Sequence, residues 1–568
     1  MKKMANKQNH LIGIIDKPQN FYDCLMEIRD VNELLQTCNE LKQKREIDYF
    51  DIAYKAVEDG CDIFLLSHVL EKIAFLSILD LRNITKLYEL FFEKMRGDMA
   101  SGGQYEITKS IASHHIDFSL YLLQELYKSD LEYATYHIAM ILTTLHNEHQ
   151  MNQYKQIKKY LEDTADINKT LSSIEAISKI DLTQEEVDEV FDLFKKISDS
   201  KEERFCAALV YSCNRMKNVY PVFKNIFLLL SDIDNKTVKF HISRILSFNE
   251  KGAVREDWYR KCLFALTDTT TEELGIVDSL SHVFMNILEA TNDYRTIRDF
   301  FAEWVKESEI TLDFPERTLE HFIYEFADKY PVEHSKFITE IFYSENEELH
   351  RIVRPFVTTG SKFSKEMIDE YTLQDFIYMC RKALGYLYEF DSLSTLIWSL
   401  SEKDNLTRDE QGLIADVFKN HIGDFYPKDT LDFFTALDSG ALNKSQNAIV
   451  KYMVDKLGKD IETYENLPRF KELIPASRES REVTKANQLS IGDAIKKAQS
   501  ESIIGFLGTP IHIKYGRGSF HYMNGEYTKP SYLQRVSTQI TFPVTERIRP
   551  TDVAIQRYHF RKAKKGES

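Results

Sequence analysis

The chain has 568 residues, 43% apolar and 29% charged, with a net charge of −16. That composition belongs to a folded, soluble chain and excludes a disordered one. No apolar run approaches the roughly 18 residues a membrane-spanning helix needs; the strongest, Ile226 to Leu230, is far shorter.

The seven cysteines (Cys24, Cys38, Cys61, Cys206, Cys213, Cys262 and Cys380) are scattered and form no C-x-x-C pair. This odd, unclustered set points to reduced thiols in a cytoplasmic protein, against a disulfide framework or zinc site. The first ten residues carry early lysines but no apolar stretch, so no secretory signal is expected. Charge is unevenly placed. Residues 501–568 hold 11 Lys/Arg and 5 Asp/Glu, a balance of +6, which leaves −22 for residues 1–500. Such an acidic body repels nucleic acid and anionic lipid, and only the basic end attracts them.

Residues 1–20 read as a loosely held lead-in, with Pro18 just before the first helix. An α-helical repeat array is expected over 21–475. Its unit is clearest from Thr183 to Phe248. Thr183 and Glu186 form a capping box. Val187, Val190, Phe191, Phe194 and Ile197 then fall three and four apart, on one helical face. A turn at Ser198–Lys201 precedes a second helix, Phe205 to Met216. Pro221 opens a third, with Phe223, Ile226, Phe227 and Leu230 as its stripe. Val238, Ile242, Ile245 and Leu246 mark a fourth. A pair of such helices buries its apolar face only against a stacked neighbour. At about 18 to 20 residues per helix and loop, the paired period is about 40. The architecture resembles an irregular HEAT/armadillo-like α-solenoid more than a tetratricopeptide array. Thr407 and Glu410 repeat the capping box before Leu413 to Phe418.

Residues 476–490 are polar and read as a linker; Ser490 and Asp493 cap a short helix over 491–504. After Gly505 the period changes to 2. Ile511, Ile513 and Tyr515 alternate with polar residues, Asn524-Gly525 signals a hairpin, Val536 to Val544 reads as a strand and Val553 to Phe560 as another. A small basic antiparallel β domain and tail is therefore expected over 505–568, too small to be stable alone.

Five of the sixteen histidines (His114, His115, His137, His146 and His149) lie within 36 residues. His146 and His149 are three apart, as metal-ligating pairs are, but no defined ligand spacing surrounds them. They read as surface and packing histidines, and no metal or cofactor is expected. Arg96 to Gln104 is a glycine-bearing loop without the G-K-[ST] ending of a phosphate cradle. No esterase, kinase or dinucleotide motif occurs. A hydrolytic site from His512, His521 and Glu526 lacks the acids it needs.

The basic end is the main candidate surface. Lys514, Arg517, Lys529, Arg535, Arg547, Arg549, Arg557, Arg561 and Lys562 interleave with Tyr515, His521 and Tyr522. Cations among stacking rings suit single-stranded nucleic acid; they equally suit docking onto the acidic array or an acidic partner. The reading is a non-enzymatic scaffold or adaptor that binds a protein partner within a multi-protein complex. Its alternative is a nucleic-acid-binding component using residues 505–568. Richness in Lys, Ile, Asn, Phe and Tyr points to a bacterium or its virus.

Overall fold

The computed structural model describes residues 10–95, 103–128, 133–248, 252–270, 273–307, 319–437, 440–468 and 544–567, with single residues and short runs between 478 and 532. These residues are mainly helical. They divide into two compact units, Met1–Phe337 with Asn346–Pro355, and Ile338–Glu345 with Phe356–Ser568.

In the first unit Leu11 is fully buried and Ile15 nearly so. The expected loose lead-in is therefore part of the core from Leu11 onward. Pro18 is the first residue of α1 (Pro18–Met26), not the residue before it. There its missing N–H costs nothing. The helices that follow are α2 (Val31–Lys44), α3 (Tyr49–Glu58), α4 (Ile63–Ile73), α5 (Leu81–Met95), α6 (Gly103–His114), α7 (Ile116–Leu126), α8 (Ala134–Asn147), α9 (Tyr154–Glu162), α10 (Ile167–Ile177), α11 (Gln184–Asp199), α12 (Glu203–Met216), α13 (Phe223–Ser231), α14 (Lys236–Phe248), α15 (Asp257–Phe264), α16 (Leu274–Thr291), α17 (Tyr294–Glu307) and α18 (Glu320–Lys329).

Packing alternates. Each even-numbered helix stacks on the next even one from α2 to α18, and odd-numbered helices stack likewise from α1 to α5 and from α9 to α17. Two parallel rows of helices result, the packing of a helical repeat. Local chemistry sets the starts. Asp30, Asp48, Asp62 and Asp166 accept backbone N–H bonds at the N-caps of α2, α3, α4 and α10. Both halves of the Thr183–Glu186 box are made. Val187, Val190, Phe194 and Ile197 are buried, as their spacing requires.

Helix ends are sealed from the neighbouring repeat. The last carbonyls of a helix have no partner within it. Here His115 Nε2 bonds the Phe75 carbonyl at 2.7 Å and His149 Nε2 that of Ala112 at 2.9 Å. Ser212 Oγ donates to the Ile174 carbonyl at 3.0 Å and Asn286 Nδ2 to that of Ser247 at 2.9 Å; Trp304 Nε1 reaches the Thr269 carbonyl, in the segment that follows α15, at 2.5 Å. These partners are 35 to 40 residues apart in sequence. That spacing is the repeat period measured from contacts.

After α19 (Pro331–Tyr343), α20 (Glu347–Arg351) and α21 (Val353–Phe356), the second unit holds α22 (Lys365–Ile368), α23 (Leu373–Tyr386), α24 (Phe390–Ser399), α25 (Arg408–Val417), α26 (Gly423–Phe425), α27 (Pro427–Ala436) and α28 (Lys444–Glu465). The alternation persists: α23 packs on α25 and α25 on α28. The Thr407–Glu410 box caps α25, and Phe418–Ile422 continue it as a π-helical turn.

The C-terminal β domain is not supported. Residues 544–562 are helical, as α29 (Val544–Ile548) and α30 (Pro550–Lys562). Val553 to Phe560, read above as a strand, lies inside α30. Pro550 presets its first turn, Asp552 faces the positive end of the helix dipole, and His559, Arg561 and Lys562 face the negative end. Among the described residues, pairing is limited to runs of two or three residues: Ile513–Tyr515 with Gly518–Phe520, the latter with Ser531–Tyr532, and Tyr522–Met523 with Glu526–Tyr527. The expected strand over 536–543 and helix over 491–504 lie outside the described residues. Of the expected linker, Arg478, Arg481, Glu482, Lys485 and Leu489 are described, exposed and helical.

Replacing Trp304 by Phe removes one buried donor and leaves the Thr269 carbonyl unbonded. Urea titration should show a loss of about 1–3 kcal/mol; an unchanged midpoint would mean that this contact does not hold the repeats together.

Candidate functional site

The tail is the first place where the basic residues are brought together. α30 packs along α23, and α29 packs against α26 and α30. Arg561 Nε donates to the Gly385 carbonyl at 2.7 Å, in the last turn of α23, and its Nη2 bonds the Tyr388 hydroxyl. Lys382 Nζ donates to the Arg561 carbonyl at 2.5 Å, and Arg381 to that of Glu567 at 2.9 Å. Arg557 makes a forked pair with Glu546 at 2.9 and 3.1 Å, and its guanidinium lies 4.3 Å from the Tyr388 ring centroid. Arg561 lies 5.5 Å from the Tyr386 centroid, and Lys565 Nζ 3.3 Å from that of Tyr343. Tyr343 in turn stacks on Tyr371 at 4.3 Å. Burial alone would raise the Asp375 carboxyl, but hydrogen bonds from Thr372 and Tyr343 and the Lys565 charge hold it below the usual value.

Arg557, Arg561 and Lys565 are half-buried against tyrosines: Tyr386 at the end of α23, Tyr388 in the loop after it and Tyr343 at the end of α19. Arg549 and Lys562 are exposed, as are Tyr558, His559 and Lys564. Arg547 lies in α29; Lys514, Tyr515 and Tyr522 lie in the short paired runs. Arg517, His521, Lys529 and Arg535 lie outside the described residues, as does His512. These three tyrosines were not among the candidate residues. Gly385-Tyr386-Leu387-Tyr388 carries one sequence signal, a glycine followed by alternating rings.

The histidine cluster is dispersed by the fold. His115 and His149 seal helix ends, and His114 stacks on Phe75 at 4.0 Å. His146 is half-buried in α8. Among the described residues no group of three or more His, Cys, Asp or Glu is placed to hold a metal ion. His137 is fully buried, with its ring stacked 3.8 Å from Tyr88 and Nδ1 2.6 Å from Thr108 Oγ1. That burial pushes its pKa down to about 3. The described cysteines are free thiols; all but half-buried Cys24 are buried. The loop read from Arg96 to Gln104 is described only from Gly103, where α6 begins. A groove of about 310 Å³ between α25 and α28 is floored by Gly412, Ala415, Ala448 and Ile449, with Asp416, Lys419 and Tyr452 along it. It holds no nucleophile paired with a base.

The second candidate surface was not foreseen. In the first unit the five even-row helices α8 to α16 contain 70 residues, 10 of them charged; the five odd-row helices α9 to α17 contain 56, of which 22 are charged. Even-row helices are covered by row neighbours and by the odd row, so their exposed positions share one solvent side. Tyr136 on α8, Tyr211 on α12, Phe248 on α14 and Tyr324 on α18 are exposed there, Phe248 by 74%. Tyr105 on α6 meets Tyr136 at 5.1 Å. The Tyr211 hydroxyl lies 2.9 Å from His241 Nδ1, and Arg244 lies 5.8 Å from the rings of both Phe240 and Phe248.

The sequence matches no protein family, and no curated protein matches it. Among solved structures, the chain is similar to a circular tandem repeat protein with novel repeat topology and enhanced subunit contact surfaces. The identity is 12%, over 80% of this chain and 97% of that one, with a TM-score of 0.19. At that score the likeness carries no argument about fold or function. Among the described residues no helix is long and apolar enough to cross a membrane.

Two predictions follow from this geometry. A histidine whose pKa is lower folded than unfolded takes up its proton on unfolding, so it stabilises the fold above its unfolded value of roughly 6.5 and withdraws that stability as pH falls toward 3. In urea titrations between pH 6.5 and 4, His137→Phe should flatten the decline by about 1.4 kcal/mol per pH unit. Equal slopes would place the ring in contact with water. At Gly385 an added Cβ would lie 3.0 Å from the Arg561 backbone N and Cγ. Gly385→Leu should therefore speed tryptic cleavage at Arg557 and Arg561 at least about tenfold, because cleavage follows the open population, while leaving helix content unchanged.

Proposed function

We propose that this protein is a non-enzymatic helical-repeat scaffold or adaptor, a subunit of a multi-protein complex, and that its partner-binding surface is the solvent side of the even row. What supports this reading is the set of exposed rings Tyr136, Tyr211, Phe248 and Tyr324 on even-row helices, of which α8 to α16 carry 10 charged residues in 70. Exposed aromatic rings with arginine among few other charges have the make-up of an interface core. On an otherwise acidic chain, an exposed set of this kind has no role in solubility. The tyrosines lie on stacked helices a repeat or more apart, so a partner lying along the row meets several at once.

The test is affinity capture by the tagged full chain with the partner identified, then repeated with Tyr211→Ala/Phe248→Ala. Truncating two interface rings costs about 2–4 kcal/mol of binding, roughly a thirtyfold to thousandfold loss. Capture should fall accordingly while Arg549→Glu/Lys562→Glu on the tail leaves it unchanged. Full capture by the ring variant, or loss confined to the tail variant, would move the binding surface elsewhere.

A further inference from the structure

We infer that the tyrosine-lined groove on α23 is a receptor for basic helices, with the chain's own α30 as its resident, displaceable occupant. The groove reads cations. Tyr343 takes Lys565; Tyr386 and the Tyr388 hydroxyl take Arg561; the Tyr388 ring takes Arg557. Arg557 and Arg561 are one helical turn apart, so both face the groove together. The Gly385 carbonyl completes the site, because no side chain keeps Arg561 away from the end of α23. A cation there also meets the negative end of the α23 dipole.

The contact is unlike the rest of the core. Of the apolar side chains in 550–563 only Val553 and Ala563 are buried, while Ile555 and Tyr558 are 52% and 58% exposed. Beneath Gln556, Arg557 and Phe560 a cavity of about 20 Å³ remains, beside Leu384, His421 and Tyr426. That is room for a single water. Ring–cation and hydrogen-bonded contacts therefore supply most of the hold. Such contacts weaken with ionic strength where they reach solvent, whereas burial of apolar helix faces does not. A helix held this way exchanges with a competitor of the same kind. The partner chemistry that fits is a helix bearing two arginines four residues apart, with a lysine in the turn just beyond its C-terminal end, supplied by another protein chain. Tethering gives the resident helix an effective concentration on the order of millimolar, which keeps weaker competitors out.

The experiment uses the full chain and a labelled peptide spanning residues 544–567. In the full-length Arg557→Glu/Arg561→Glu variant the resident helix is repelled and the groove opened. The peptide should bind this variant at least about tenfold more tightly than wild type. Raising salt from about 50 to about 500 mM should weaken that binding, and adding Tyr388→Ala should abolish it. Equal binding to wild type and variant, or none to a variant whose melting curve matches wild type, overturns the proposal. Should the variant misfold, hydrogen exchange on the wild type decides. The amides of 550–562 should exchange faster than those of α23, and faster still in high salt. Protection equal to that of α23 at both salt concentrations would make α30 a fixed core helix and end the proposal.

Discussion

A short helix ends in carbonyls that it cannot satisfy itself, and this chain stacks many short helices. Packing their ends together without donors would strand those oxygens away from water, at about 1–3 kcal/mol each. The solution recurs along the first unit: a side chain one repeat away reaches back and donates. The donors are chemically varied, an indole from Trp304, a hydroxyl from Ser212, an amide from Asn286 and imidazoles from His115 and His149. Because reach differs between these side chains, spacing between repeats is irregular. The 35-to-40-residue separation follows from where a donor meets a carbonyl, and no uniform repeat sequence is needed. In the second unit the device recurs with Tyr378 donating to Ser344 at 2.6 Å and Tyr426 to Tyr388 at 2.8 Å.

Arg561 does the same for α23, but from 176 residues away in sequence. This relates the tail to the array chemically. A side chain of the next repeat occupies its position because the apolar helix beneath it is buried. Arg561 occupies its position with little apolar burial behind it, so its bonds are themselves the attachment. The two classes of end-sealing contact thus differ in what would break them: loss of a repeat core in one case, and competition or salt in the other.

Helix starts and buried faces were legible because they are local. Thr183 with Glu186 and Thr407 with Glu410 form their capping boxes wherever the chain goes next. Val187, Val190, Phe194 and Ile197 form one face by spacing alone. The end of the chain was misread for the converse reason. Val553 to Phe560 read as one more strand after a run of period-2 segments, yet in the helix that forms, with its C-cap, the buried residues are Val553 and Ala563, and Gln556, Arg557, Phe560 and Arg561 are half-buried. An arginine that packs its stem and stacks its head on a ring counts as polar in any pattern but behaves as an inner residue. The histidine cluster misleads similarly: nearness in sequence between His115 and His149 hides the fact that each serves a different helix end. The exposed even-row rings were invisible because they sit on separate helices, Tyr136 on α8, Tyr211 on α12 and Tyr324 on α18, and share a row only through stacking.

Charge shows the same division between totals and places. A basic tail of +6 attached to a body of −22 suggests a free cationic arm. In the fold, the cations that contact the array meet tyrosine rings, a backbone carbonyl and Glu546, a partner from the tail itself, while carboxylates such as Glu185 and Glu186 lie at solvated helix starts. Long-range attraction between arm and body is screened over about 8 Å at physiological salt. What places α30 is therefore short-range and geometric: a glycine that leaves room, a carbonyl in need of a donor, and rings that meet two arginines one helical turn apart. A charge-reversed but correctly shaped helix would lose this site.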